Sequence, residues 1–419
     1  MKLDERQAEA GYRLLALCAR AELPAEQRGR LACAAARLTA WETLPAQAEA
    51  QGMAPLLYAH LKAAEIEIPR PVRRQLQGLC LRHRQANRER MQALDQILAT
   101  FEAAGIQALV LKGAALCHLV YPDPGLRPMS DLDLLVPASD LRRAQRLLAG
   151  LGFDAPLPPG PTLHRHLPAA TRRVAGVRVQ VELHHRLFSD YFDNAGTYLR
   201  VNLCARLHGM FGRRSGERSA GTASAGSAAW EALRRSALPV ALGDRTACTL
   251  GLEDTLGHLC RHLVSHVNVW EAGRLIWVAD IVSLAERFQS EIDWASVRRR
   301  DPAVRELLSL VHWMTPLSDA LLARAEVRLV PPPQGMGVAY RGWPRVRLGS
   351  WRALRETLWP SEWWLRWHYR VGSARSLSWY RGVRHPLHLL GHVVRVGLER
   401  LGWPQALDLA GQCKETRFF

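Results

Sequence analysis

GIQALVLKGAALCHLVYPDPGLRPMSDLDLLV, residues 105 to 136, changes its hydrophobic period twice, and its reading sets the fold. Ile106 to Leu111 is a short apolar run with strand character. Lys112-Gly113 then turns the chain into a helical Ala114 to Val120. Tyr121 to Ser130 contains Pro122, Pro124, Gly125 and Pro128, which exclude regular structure. Asp131 to Val136 is a second strand. Residues two apart on a strand share a face, so Asp131 and Asp133 point one way while Leu132, Leu134 and Val136 face the core. Two carboxylates about 6–7 Å apart along a strand repel unless a cation lies between them. Magnesium suits such a site, because it binds to one or two carboxylates together with substrate phosphates.

Working outward, Ser139 to Leu151 is a helix that Ser139 could cap. Val174 to Leu183 reads as a third strand, with Val177, Val179 and Val181 alternating against Arg178, Gln180 and Glu182. Glu182 therefore adds a third carboxylate on a polar strand face. Three acids on adjacent strands could hold two metal ions, which suits in-line displacement at phosphorus. Gly113 would let a phosphate approach the backbone, the helix start behind it attracts anions, and Lys112 adds a point charge. Lys112 is also one of only four lysines, with Lys2, Lys62 and Lys414, against 52 arginines. Each reading has a plainer rival. A lone D-x-D is often a solvated strand end, Lys112 could be an ordinary turn lysine, and Arg127 is either a bidentate phosphate clamp or a solvated loop residue.

With these residues in hand, the chain resembles the DNA polymerase β-type nucleotidyltransferase superfamily. The order is strand, KG turn, helix, loop, R-P-x-S-D-L-D-L-L-V, then a later acid on a strand. Gly105 to Val136 resembles one bacterial group closely, the uncharacterised nucleotidyltransferase family often called NTP-transferase 5. Glu182-Leu183-His184, Leu259-Cys260-Arg261-His262 and Ile276-Trp277-Val278-Ala279-Asp280-Ile281 are similar too, so the resemblance spans roughly residues 50 to 290. It implies an α+β fold, a small mixed-sheet core between helical N-terminal and C-terminal regions. It also implies metal-dependent transfer of a nucleoside monophosphate from an NTP to an acceptor: a small molecule, protein or RNA. Asp131, Asp133 and Glu182 match the catalytic, metal-binding acids, for two Mg²⁺ ions or Mn²⁺ in their place. Lys112, Gly113, Arg127 and Ser130 are the nucleotide-binding candidates. Two departures stand out: Ala114 replaces the Gly or Ser that often follows the turn glycine, and the third acid is Glu182 where aspartate is common.

Composition sets the outer bounds. With 48% apolar and 23% charged residues over 419 positions, the chain has enough apolar surface for sizeable cores, which excludes global disorder. No apolar stretch is long enough to cross a membrane; Leu307 to Ala323 comes nearest but contains Pro316 and Asp319. MKLDERQAEAGYR lacks the basic start and apolar core of a signal peptide, so a cytoplasmic location is expected. Eight cysteines without a CxxC pair read as reduced thiols, mostly buried. The net charge of +17 favours polyanionic partners.

The chain thus divides into a helical N-terminal domain (1–104), a nucleotidyltransferase core (105–205), a flexible low-complexity insertion (206–240), a helical domain (241–330) and a Trp/Arg-rich basic tail (331–419). From residue 334 onward lie eight of 14 tryptophans, and 14 basic against five acidic residues leave +9. That tail, including Ser361 to Tyr369 and a basic apolar helix from Leu387 to Leu401, reads either as a platform for anionic membrane or nucleic acid, or as tryptophans packed on the helical domains. His258, His262 and His266 form one helical stripe, read as stacked rather than metal-binding. Asp280, on an apolar helix, needs a buried partner, for which Arg274 or His262 are the candidates. Besides nucleotidyl transfer, two functions fit: a catalytically silent nucleotide- or RNA-binding protein, and a membrane-surface module acting through the tail.

Overall fold

The computed structural model describes residues 5–160, 165–187, 228–269 and 273–329, with 351, 355, 358–360, 362, 365, 374–387, 389 and 390 beyond them. The chain separates into two units, Met1–Pro331 and Pro332–Phe419. The first is a helical array around a mixed six-stranded sheet, an α+β architecture.

Helices come first because apolar residues recur there at helical spacing. α1 (Glu5–Leu17), α2 (Ala25–Ala36), α3 (Leu44–Ala50) and α4 (Ala54–Ala63) bury Leu14, Leu31, Leu44 and Leu57. α5 (Arg70–Ala103) is the longest element at 34 residues. It ends where Gly105 turns left-handed at φ 68°. Gly105 N–H donates to Glu102 O at 2.9 Å and Ile106 N–H to Phe101 O at 2.8 Å, a Schellman closure.

The strands are β1 (Leu109–Leu111), β2 (Leu132–Leu135), β3 (Ala170–Val174), β4 (Val177–His184), β5 (Leu238–Leu242) and β6 (Arg245–Thr249). Their order in the sheet is β3-β4-β2-β1-β6-β5. β2 runs antiparallel to β1 and parallel to β4, while β6 is parallel to β1. α6 (Lys112–Leu119) leaves β1 directly, and α7 (Leu141–Gly150) follows β2. The main core joins Leu94, Ile97 and Phe101 of α5, Ala115 of α6 and Leu148 of α7 to Val110, Leu132, Leu134, Val181 and Leu183. Leu109, Leu111 and Leu135 belong to a separate cluster with Leu187, Trp230 and Leu250. By strand alternation, Asp133 shares this second face.

Several elements depart from the sequence reading. Val174 to Leu183 is not one strand, because Ala175 and Gly176 take φ of 46° and 81° and fold β3 back on β4. Ser139 does not cap α7; the residue before that helix is Asp140, which makes no side-chain cap either. The Pro-rich loop contains one 3₁₀ turn, Pro124–Leu126. Residues 188–227, most of the expected insertion, lie outside the described residues. Beyond them the chain is helical over 228–235 and then forms the β5–β6 hairpin, so the sheet takes strands from either side of residue 240.

After the hairpin come two helices, α8 (Leu252–Val269) and α9 (Leu275–Arg287). α10 (Trp294–Arg300), α11 (Ala303–His312) and α12 (Asp319–Arg324) complete the unit. Among the described residues, no helix is long and apolar enough to cross a membrane. The described cysteines are free; Cys18, Cys117 and Cys260 are buried, whereas Cys33 and Cys248 are exposed.

In the second unit, a short helix, Ala374–Trp379, runs into a π-helical turn, Tyr380–Arg384. Trp351, Trp359 and Trp379 are exposed, and the Arg381 guanidinium lies over the Trp359 ring at 5.6 Å. The helix read over Leu387 to Leu401 and the stretch from Ser361 to Tyr369 lie almost wholly outside the described residues.

Candidate active site

β2 brings the acids together. Asp133 sits opposite Leu111 of β1 on one side and Glu182 of β4 on the other. Leu111 is the last residue of β1, so Lys112 emerges beside Asp133. Its Nζ donates to Asp133 Oδ1 at 2.9 Å. His184 follows Glu182 by two residues and so shares its strand face. Its Nε2 reaches the same Oδ1 at 2.8 Å and Glu182 Oε2 at 3.7 Å.

Charge and burial set the ionisation here. Burial raises the Asp133 carboxyl, but Lys112 and His184 outweigh it and hold the group well below the usual carboxylate range. Asp131 lacks these direct bonds. Burial and the Asp133 charge push it up to about 6, against the pull of Lys112 and of Ser130, whose hydroxyl donates to Asp131 Oδ1 at 3.1 Å. Glu182 is raised by burial and by the Asp133 charge. Burial lowers His184 to about 3 despite its bond to Asp133, so the ring is neutral and donates through Nε2–H.

The turn holds a surprise of conformation. Lys112 takes φ 48°, the left-handed region that a non-glycine residue enters at a cost of about 1–2 kcal/mol. Gly113, read as the place where a phosphate approaches the backbone, is not the left-handed residue of the turn. Its missing Cβ instead makes room for Arg127: a methyl there would run into the guanidinium and lie 3.2 Å from Met129 Cγ.

Arg127 is accordingly no open phosphate clamp. It is buried, and its Nη2 and Nε donate to Asp280 Oδ2 and Oδ1 at 2.6 and 3.2 Å. Tyr121 O–H adds a third bond to Asp280 at 2.8 Å. Asp280 thus takes its partners from the Pro-rich loop, not from Arg274 or His262. His262 instead stacks on His258, lies tilted against His266 and meets Trp277 edge to face.

Which of these residues could hold a metal? Ligand atoms of Asp133, Glu182 and His184 all lie within 4.8 Å of one another. Two carboxylates and a neutral imidazole on one sheet face fit a divalent ion. Asp131 is not in this trio and flanks it from the residue before β2. The sequence reading passed over His184 as a ligand, although E-L-H at alternate strand positions signals it. It also passed over Asn87, whose Nδ2 donates to Pro124 O and Arg127 O at 3.0 and 2.9 Å and whose Oδ1 accepts from Met129 N–H. No local pattern announces that clamp.

Comparison with curated proteins and with solved structures gave no match. A family model described as "Uncharacterised nucleotidyltransferase" matches residues 38–203 and 219–315. The match takes in all six strands, the Lys112 turn and the three acids. On that extent of similarity, the chain belongs to this uncharacterised nucleotidyltransferase family.

Proposed function

We propose that the protein transfers a nucleoside monophosphate from an NTP to an acceptor hydroxyl or phosphate. The observation that carries this reading is the register of Asp133 against Glu182, with Asp131 before and the Lys112 turn beside them. In this reading Asp131 and Asp133 bind the cation that accompanies the nucleotide. Glu182 receives the acceptor's proton, a role for which its raised pKa suits it. His184 orients Asp133 through Nε2–H in the metal-free site, and Nε2 would serve as a ligand only with the hydrogen moved to Nδ1. Lys112 and the first N–H groups of α6 face the triphosphate. Ser130 holds Asp131 in place. Arg127 serves from behind, by fixing the loop that carries Ser130 and Asp131. A divalent cation at this site supplies charge neutralisation of the phosphates and eases deprotonation of the acceptor. Magnesium is the expected ion, and the imidazole widens the choice to Mn²⁺.

One observation favours the silent binder instead: a lysine ammonium already neutralises Asp133. The two readings part on turnover. Incubation with each labelled NTP, Mg²⁺ or Mn²⁺ and a cell extract is expected to label an acceptor and release pyrophosphate. Changing Asp131 and Asp133 together to Asn is expected to abolish metal-dependent NTP binding. Asn keeps the volume and a hydrogen-bond acceptor, but Lys112 loses its buried partner, so circular dichroism is used to confirm that the variant is folded. Binding without pyrophosphate release would establish the silent binder, and equal binding by parent and double variant would remove the acids from the site.

A further inference from the structure

Lys112 combines features that an ordinary turn lysine lacks. Its backbone is left-handed, at φ 48°. Its side chain is 11% exposed and its partner Asp133 3%, so the ion pair is largely shielded from water. The oxygen it holds, Asp133 Oδ1, belongs to the group that with Glu182 and His184 offers donors within 4.8 Å. An ammonium and a divalent cation on one carboxylate repel, whichever of its oxygens each holds, and shielding from water strengthens the repulsion. Both cannot hold Asp133 at full strength.

If the cation takes Asp133, the displaced ammonium needs another anion, since a buried unpaired charge is costly. The start of α6 is where that anion would lie: the first N–H groups of the helix have no intrahelical acceptor and point toward phosphate. Lysine suits the exchange because its charge is compact and rides on a flexible stem, whereas arginine's planar fork would lock onto the carboxylate.

We propose that Lys112 is a displaceable internal counter-ion, which neutralises Asp133 in the nucleotide-free protein and moves to the triphosphate as a divalent cation takes Asp133. Nucleotide and metal then bind interdependently, each raising the affinity of the other by the same factor. This inference rests on the nucleotidyl-transfer reading and adds to it an order of charge exchange.

The four lysines make the test direct, because lysine labelled with ¹³C and ¹⁵N gives only four side-chain signals. The Lys112 signal is identified by its loss in Lys112→Arg. Each of the four α,β-methylene NTPs, added with Mg²⁺, is the probe. At least one is expected to shift the Lys112 signal, which Mg²⁺ alone leaves in place. In parallel, Mn²⁺ affinity is read by electron paramagnetic resonance without nucleotide. Lys112→Gly accepts the left-handed φ and removes the ammonium, so it tests the charge without adding strain. It is expected to bind Mn²⁺ about 10-fold more tightly than the parent, and to gain less from added nucleotide.

Asp133→Asn separates the two levels of failure. Unchanged Mn²⁺ binding in Asp133→Asn would overturn both the metal site and the counter-ion. Weakened binding in that variant, with a stationary Lys112 signal or an unchanged affinity in Lys112→Gly, would overturn the counter-ion alone.

Discussion

At the scale of single residues, neighbours in one strand have different work. Glu182 and His184 share a face, yet only Glu182 is a carboxyl with raised proton affinity, while His184 is neutral and tied to Asp133. Glu182→Gln keeps volume and hydrogen bonding but loses the charge. Turnover is expected to fall about 100-fold or more, with NTP affinity changed far less. Single-turnover transfer of labelled nucleotide, set beside equilibrium NTP binding, checks the split. A retained rate would place the third acid elsewhere. Gly113 offers a test of packing alone. Gly113→Ala drives a methyl into Arg127 and toward Met129, and is expected to cost about 1–3 kcal/mol in urea unfolding. The cost should shrink when Arg127 is also shortened, because the two positions share one contact.

Between elements, the loop from Tyr121 to Ser130 is held from two sides. α5 grips it through Asn87, and α9 grips it through Asp280 bonded to Arg127 and Tyr121. Asp280→Leu leaves the Arg127 charge buried without its partner, which is expected to cost about 3–5 kcal/mol. Arg127→Met with Asp280→Leu removes both charges and should recover most of that loss; chemical denaturation of the three variants decides. This pair also shows where sequence stops being legible. β1, the turn and β2 announce themselves through period and turn residues. Glu182 could be placed because valines alternate through β4. Arg127 and Asp280 lie 153 positions apart, and nothing local to either names the other. Edge strands were hidden for a different reason. β3 reads ATRRV and β5 contains Pro239, tolerable at a sheet edge but not the apolar alternation that marks a half-buried strand. The left-handed backbone of Lys112 is equally illegible, since a glycine beside it is the residue that ordinarily takes such a conformation.

For the molecule as a whole, the buried histidines set the response to acid. His60, His258, His262 and His266 all have lowered pKa values, in each case mainly through burial, and His266 falls to about 3. His60 is further fixed by a 2.8 Å contact of Nε2 with Arg20 O. In the unfolded chain each titrates near 6.5. As pH falls below that value, the unfolded state takes up protons that the folded state refuses, so stability drops. Each such histidine contributes a slope of up to about 1.4 kcal/mol per pH unit, until its own folded pKa is reached. Asp131 works in the opposite sense. Its folded pKa of about 6 exceeds the unfolded value, so between that pH and the unfolded pKa the folded state holds the extra proton and gains stability. Glu182 acts in the same direction. The histidines outnumber these two acids, and the net result between about pH 6.5 and 5 is acid destabilisation. Denaturant unfolding at several pH values in this window, with a chelator to keep metal from the site, measures the slope. His262→Phe retains an aromatic ring against Trp277 but cannot titrate, so its slope is expected to be shallower by up to about 1.4 kcal/mol per pH unit, most so at the acid end of the window. An unchanged slope in that variant would mean that His262 already charges in the folded protein, and that burial does not govern the stripe.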